Sequence, residues 1–234
     1  MTTPAPNLTG NWAFTTQPSA STTTQLTLNA GLSTLSNGQV TAVGHLNGAS
    51  CASAQTAIHL AGSLNEFGEL KLISEPFSGT TLTIKGEILP GSTTVTNTTM
   101  TFAGGTCGSL GAQAATSTQY SQINGTYSGN FVDQDGTSFG ITATLVQTTQ
   151  PDANGTFHLQ GTPTFQSNPC FTQPVITDSL VTGDNLSTTY VQGNATIAAV
   201  GTFNADATQL TVTNWQVSGG MCDGSHGTGL LIEQ

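Results

Sequence analysis

Basic residues are almost absent from this sequence. Its 234 residues contain two lysines, no arginine and twelve carboxylates, which give a formal net charge of −10 at pH 7. A protein that binds nucleic acid needs a row of basic side chains to neutralise phosphates, so nucleic-acid binding is excluded. An anionic membrane surface would repel the chain for the same reason.

Long hydrophobic runs are also absent. No apolar run approaches the roughly 18 residues that a membrane-spanning helix requires. Hydrophobic residues nevertheless make up 35% of the chain, which favours a folded core over disorder. The polar start, Met1–Pro6, lacks the pattern of a signal peptide. We expect it to be the tether of a mature protein whose targeting segment is missing from this sequence.

Cysteine is scarce but even in number. An even count in a lysine-poor, threonine-rich chain indicates an oxidising compartment, so we expect a protein that is secreted, periplasmic or lipid-anchored at the cell surface. No Cys-x-x-Cys pair occurs, and His226 is the only histidine within ligand spacing of a cysteine. Neither a metal site nor any other cofactor is therefore predicted. The cysteines are Cys51, Cys107, Cys170 and Cys222.

An internal repeat organises the chain. Leu8–Trp12 (LTGNW) corresponds to Ile123–Tyr127 (INGTY) 115 residues later, and two further matches follow in the same order. The segment before the second cysteine of each half, Gly-Gly-x-Cys, repeats at the same offset. We therefore predict two tandem units, residues 1–119 and 120–234.

The repeat also bears on disulfide pairing. Each unit has an early and a late cysteine, so Cys51 with Cys107 and Cys170 with Cys222 is the simplest of the three pairings that four cysteines allow. Closing a loop of this length stabilises a unit by roughly 4 kcal/mol in the chain-entropy model.

Apolar and polar residues alternate with the period of a β-strand. Segments such as Gln25–Ala30 and Thr81–Lys85 have this pattern, no sustained helical stripe occurs, and the 44 threonines favour strands. Turn signals recur at short intervals. We therefore predict an all-β fold of two tandem antiparallel barrels or sandwiches, each with seven or eight strands.

One predicted hairpin spans residues 69–88, with its turn at Pro76–Gly79. Alternation places one set of residues in the core and the charged set in solvent, where a cross-strand ion-pair patch is expected. A covalent crosslink through lysine is the alternative. The inward set is Leu70, Leu72, Leu82, Ile84 and Ile88, and the outward set is Glu69, Lys71, Lys85 and Glu87.

The opening strand of each half, Gly10–Trp12 and Gly125–Tyr127, resembles the first strand of lipocalin-like and avidin-like barrels. That resemblance implies a barrel able to hold a small apolar ligand. Ala13–Thr16 lacks the polar run that carries biotin in avidins, so biotin binding is not expected. The composition resembles that of the Thr/Gly/Ser-rich surface lipoproteins of acidobacterial type, which implies a location and no activity.

Three groups of residues are weighed as sites. Glu66 and Glu69 are either a glycosidase-like pair or a charged turn, and Asp133 with Asp135 is either a calcium loop or a turn with side-chain caps. Outward strand histidines, His45 and His158, are interpreted as solvated. The aromatic candidates for ligand contact or for the core are Trp12, Tyr127 and Trp215, and Trp215 would need an exposed ring to stack on a sugar.

No set of residues demands catalysis, so we predict a non-enzymatic binding or structural module. Its uncharged, hydroxyl-rich strand faces suit self-association or contact with polysaccharide. The alternative is a carrier of a small ligand inside the barrel. A third hypothesis is an acid-active hydrolase, which would require two carboxylates in one cleft.

Overall fold

The computed structural model describes residues 6–18, 25–49, 51–54, 56–89, 91–168, 170–171 and 174–234. Within these ranges the chain forms sixteen β-strands and one 3₁₀ turn at Gly108–Leu110. Among the same residues, no helix combines the length and the apolar content needed to cross a bilayer. The strands are β1 (Gly10–Thr16), β2 (Thr27–Thr34), β3 (Gln39–Asn47), β4 (Ala57–Leu64), β5 (Glu69–Ser74), β6 (Thr81–Glu87), β7 (Thr96–Ala103), β8 (Ala112–Tyr120), β9 (Asn124–Asp133), β10 (Ser138–Gln147), β11 (Phe157–Gln166), β12 (Val175–Thr182), β13 (Asn185–Gln192), β14 (Ala195–Phe203), β15 (Gln209–Ser218) and β16 (His226–Glu233).

The strands close into two antiparallel barrels of eight strands, β1–β8 and β9–β16. Consecutive strands are neighbours, and in the second barrel the last strand pairs with the first, with Leu231 opposite Gly129. Closure leaves no free sheet edge, which is why a chain of short strands with short turns is stable in this form. The all-β prediction is confirmed, and each unit is a barrel, not a sandwich.

Contacts divide the chain into two compact units. The first is Met1–Gln119 together with Gln150–Thr156, and the second is Tyr120–Thr149 with Phe157–Gln234. Within the first unit, Ser33 Oγ on β2 donates a hydrogen bond to Gln150 Oε1 at 3.0 Å. A β-carbon on Gly31 would lie 2.5 Å from Cβ of Pro151. The segment 150–156 therefore covers part of the outer face of β2, which the repeat did not predict.

Inward-facing side chains form one buried cluster in each unit. All five inward residues predicted for the hairpin of β5 and β6 are at most 2% exposed. The second cluster is rich in aromatic rings. Phe131 lies 5.8 Å from Phe139 edge-on, 6.0 Å from Phe165 edge-on and 5.8 Å from Trp215 in a stacked arrangement. Large side chains thus occupy the space that strand alternation assigns to the barrel interiors.

Both disulfides join the cysteines within one unit, as predicted. Cys51 pairs with Cys107 and Cys170 with Cys222, with Cα–Cα distances of 5.2 and 6.2 Å. In each barrel the bond links the loop after the third strand to the loop before the eighth strand. The equivalent placement agrees with the internal duplication.

Candidate functional site

An open groove of about 540 Å³ lies on the outer wall of the first barrel. It runs across the end of β4 and the strands β5, β6 and β7, where outward positions of four neighbouring strands meet. Most of its lining residues are polar or charged, among them both lysines of the chain, and the apolar parts of these side chains line it together with Leu70 and Gly86. The hydroxyl, amide and ammonium groups of the lining belong to Ser63, Asn65, Lys71, Lys85, Asn97 and Thr99.

Strand register places like charges opposite each other in this groove. Lys71 lies directly opposite Lys85, and Glu69 lies directly opposite Glu87. Directly opposed residues have β-carbons about 5 Å apart, and like charges in such a pair are destabilising. Over the described residues neither lysine forms an ion pair within 4 Å. The predicted ion-pair patch is therefore wrong, because the register opposes like charges.

Amide side chains bind the two carboxylates instead. Asn65 Nδ2 donates to Glu69 Oε2 at 2.6 Å, and Asn97 Nδ2 donates to Glu87 Oε2 at 3.2 Å. Asn65 Oδ1 in turn accepts the backbone N–H groups of Phe67 at 3.0 Å and of Glu69 at 2.9 Å. These bonds fix the turn between β4 and β5 and hold each carboxylate against an amide.

An exposed aromatic residue belongs to the turn that supplies two of the groove residues. Phe67 lies in the turn between Asn65 and Glu69, both of which line the groove, and its side chain is 77% exposed. Sequence reasoning missed Phe67 as a candidate residue. The available signal was an aromatic residue placed between polar residues and Gly68 in a tight turn, where no core position exists for it.

The three predicted aromatic candidates lie in the core. Trp12 and Tyr127 are 0% exposed and Trp215 is 1% exposed. Trp12 Nε1 donates to Leu8 O at 2.8 Å, Trp215 Nε1 donates to the backbone oxygen of Thr228 at 3.1 Å, and the Tyr127 hydroxyl donates to the backbone oxygen of Ala207. Each polar atom thus has an internal partner. None of the three rings can stack on a ligand at the surface.

The predicted carboxylate sites also resolve into ordinary turns. Glu66 lies in the turn between β4 and β5 and does not line the groove. The carboxylate directly opposite Glu69 is Glu87 instead. Asp133 Oδ1 accepts the N–H of Gln134 at 2.7 Å, and Asp135 Oδ1 accepts the N–H of Thr137 at 2.9 Å. Over the residues with described positions, no group of three potential metal ligands occurs.

A second cavity, of about 510 Å³, opens where the wall of the second barrel is incompletely paired. Among the described residues, strand β12 pairs with β13 over seven positions and with β11 at two, Phe157–Val181 and His158–Leu180. The cavity is lined by outward residues, such as His158 and Asp178, and also by the inward residue Ser179. Because residues of both faces line it, the cavity lies in the wall itself.

The histidines do not form a site. His158 and His59 are exposed, and His226 Nδ1 lies 3.1 Å from Gly224 O. His45 differs from the solvated residue that was expected, because it is half-buried and its Nδ1 is buried without a hydrogen-bond partner. It lies directly opposite Asn29, whose Oδ1 is also buried without a partner.

Comparison with protein-family models, curated proteins and solved structures finds no match.

Proposed function

We propose that this chain is a secreted or cell-surface binding module, without catalytic activity, that binds a saccharide in the groove of its first barrel. The observation that carries the proposal is the groove itself, in which amide, hydroxyl, carboxylate and ammonium groups converge. The exposed residue Phe67 lies in the turn between two of the groove residues, Asn65 and Glu69. The two disulfides support an oxidising compartment outside the cytoplasm. The tether predicted at residues 1–6 lies largely outside the described residues.

The polar groups of the groove match the chemistry of sugar hydroxyls. Each hydroxyl donates one hydrogen bond and accepts others, so it needs both kinds of partner close together. Glu69 and Glu87 offer only acceptors when ionised, Lys71 and Lys85 offer only donors, and Thr99 offers both. The groove is open along the wall, which suits an extended chain better than an enclosed small molecule.

Phe67 supplies the apolar contact that such a site needs. The ring is held on a turn whose backbone is fixed by Asn65, so little conformational entropy is lost when a flat ligand face packs on it. Its 77% exposure leaves most of the ring free for this contact.

Affinity electrophoresis through gels that contain soluble polysaccharides tests the proposal. Phe67→Ala and Asn97→Ala are expected to weaken retardation by about tenfold in apparent affinity, because each loses one of the contacts described. Met221→Ala is the matched control, since Met221 is 84% exposed and lies in the second unit. Equal retardation of all variants, or no retardation by any polysaccharide, would contradict saccharide binding at this groove. Release of new reducing ends would instead support the hydrolase hypothesis, with Glu69 and Glu87 as its carboxylates.

A carrier of a small ligand is the second candidate, and the gap between β11 and β12 favours it. Ser179 lines this gap and lies directly opposite Thr188, whose side chain is 3% exposed. Each of these two hydroxyls can both donate and accept a hydrogen bond, so together they offer polar contacts to a small ligand in the gap. Residues 120–234 hold eight carboxylates and no lysine or arginine, so the ligand would be neutral or cationic.

A thermal-shift screen with neutral and cationic small molecules tests the carrier. A true ligand should raise the melting temperature of the native chain, and Thr188→Val should remove most of that rise while Thr213→Val, on the outer surface of β15, leaves it intact. If no compound raises the melting temperature, or if Thr188→Val changes nothing, this candidate is wrong.

A further inference from the structure

We propose that Lys71 and Lys85 form a carboxylate subsite, so that the saccharide taken by the groove is an acidic one that carries uronic acid residues. This inference rests on the proposed saccharide binding and adds the chemical class of the ligand. The observation behind it is that the two lysines, the only basic side chains of the chain besides its histidines, both line this groove.

The position of the two lysines is unfavourable for the folded chain by itself. They are directly opposed on β5 and β6, both are exposed, and like charges in this arrangement repel. The chain has twelve carboxylates, so ion pairing alone could have placed each lysine opposite an acid. Instead the hairpin brings both ammonium groups to one face of one groove.

The two carboxylates that share the groove form no ion pair with the lysines. Glu69 and Glu87 lie two residues further along the same strands, and each is bound by the amide of Asn65 or Asn97. Within the described part of the molecule the lysines lack ion-pair partners. The groove therefore presents two adjacent ammonium groups without ion-pair partners, with the two carboxylates held by amides at its other positions.

The geometry suits a carboxylate. Directly opposed side chains start about 5 Å apart at their β-carbons, so two flexible lysines can each donate to one oxygen of the same carboxylate. Charge-assisted hydrogen bonds of this kind are roughly twice as strong as neutral ones. The amides and hydroxyls of Ser63, Asn97 and Thr99 remain for the sugar hydroxyls on either side.

The net charge of the chain limits what the pair can do. A protein with a charge of −10 does not attract polyanions at long range, but at physiological ionic strength fields decay over about 8 Å. The two lysines therefore act at contact distance. They select a ligand that already fits the groove and that places a carboxylate at this point.

Isothermal titration of the full chain with oligogalacturonate and with the same oligomer as its methyl ester tests this inference. The native chain is expected to bind the acid form about tenfold more tightly than the ester. Lys71→Gln with Lys85→Gln should remove this preference, because the variant loses the charge-assisted contact to the acid form and keeps a neutral amide that can still bond hydroxyls of either oligomer. Glu75→Gln, which changes an exposed charge outside the groove lining, is the control and should preserve the preference.

The outcomes separate the two proposals. Equal affinity of the native chain for acid and ester overturns the carboxylate subsite and leaves saccharide binding intact. Binding of neither oligomer, together with no retardation by any polysaccharide in the gel assay, overturns both. If the double lysine variant loses affinity for acid and ester alike and also melts at lower temperature, the lysines are structural and the inference is wrong.

Discussion

Tyrosine ionisation shows how burial changes the chemistry of single residues. All three tyrosines belong to the second unit. Burial, followed by the nearby charges of Glu233 and Asp206, raises the pKa of Tyr127 from 10.0 to about 12. Burial, followed by the charge of Asp184, raises the pKa of Tyr120 to about 12, and burial raises the pKa of Tyr190. The folded second unit thus favours neutral tyrosine.

The direction of these shifts predicts alkaline unfolding of the second barrel. Because the pKa of Tyr127 is raised on folding, the associated stability is complete below pH 10 and is lost as pH rises through about 12. Trp12→Phe leaves Trp215 as the only tryptophan and Trp215→Phe leaves Trp12, so fluorescence can follow each barrel separately. We expect the Trp215 signal to change between pH 10 and 12 before the Trp12 signal. Simultaneous change, or change of Trp12 first, would contradict this.

At some strand positions the backbone of the neighbouring strand lies so close that only glycine fits. A β-carbon on Gly62 in β4 would lie 1.8 Å from the carbonyl oxygen of Lys71 in β5, so alanine cannot fit unless the two strands move apart. By contrast, a β-carbon on Gly108 would meet only ordinary contact, at 3.6 Å from the backbone of Ala103. Gly62 thus keeps β4 and β5 at the spacing on which the groove depends.

Substitution of the two glycines tests this constraint on the strand pair. Gly62→Ala is expected to lower the free energy of unfolding of the first barrel by roughly 2–4 kcal/mol, because backbone must shift to relieve the overlap. Gly108→Ala should change it by under about 1 kcal/mol. Urea unfolding followed by Trp12 fluorescence in a Trp215→Phe background measures both. Equal effects of the two substitutions would show that the spacing of β4 and β5 is not constrained in this way.

Each barrel of the whole molecule has its own core and its own disulfide. The bonds close loops with sequence separations of 56 and 52 residues, so each removes conformational freedom from the unfolded form of its own unit. Cys51→Ala with Cys107→Ala should destabilise the first barrel by about 4 kcal/mol. Cys170→Ala with Cys222→Ala should do the same to the second. The two tryptophan reporters distinguish these effects, and loss of both signals together in either variant would contradict separate action.

Acid should have little effect on the whole molecule. Hydrogen bonds from Thr137 lower the pKa of Asp135, and hydrogen bonds from Thr208 lower the pKa of Asp206, from 3.8 in each case. Stability linked to a lowered pKa is present above that ordinary value and is lost only as pH falls through the folded value. We therefore expect circular dichroism to remain native down to about pH 4. Unfolding that begins between pH 4 and 5 would contradict this.

Strand periodicity and the repeat were sufficient to predict much of this structure. A strand exposes alternate residues to opposite sides, so the inward and outward sets of the β5–β6 hairpin followed from spacing alone. The repeat gave both disulfide pairs, because equivalent cysteines recur at equivalent places in two similar units. Local hydrogen bonding of aspartate likewise sufficed for the turn at Asp133 and Asp135.

Tertiary structure decided which outward residues meet. Periodicity gives the face of Lys71 but not its partner, because that partner depends on the register set by the turn and by neighbouring strands. Asn97 reaches Glu87 from β7, and Asn65 reaches Glu69 from the turn before β5. Residues 150–156 cover β2 although the two segments are more than a hundred residues apart in the sequence. Such contacts arise from register and barrel closure, which act between strands, whereas periodicity acts within one.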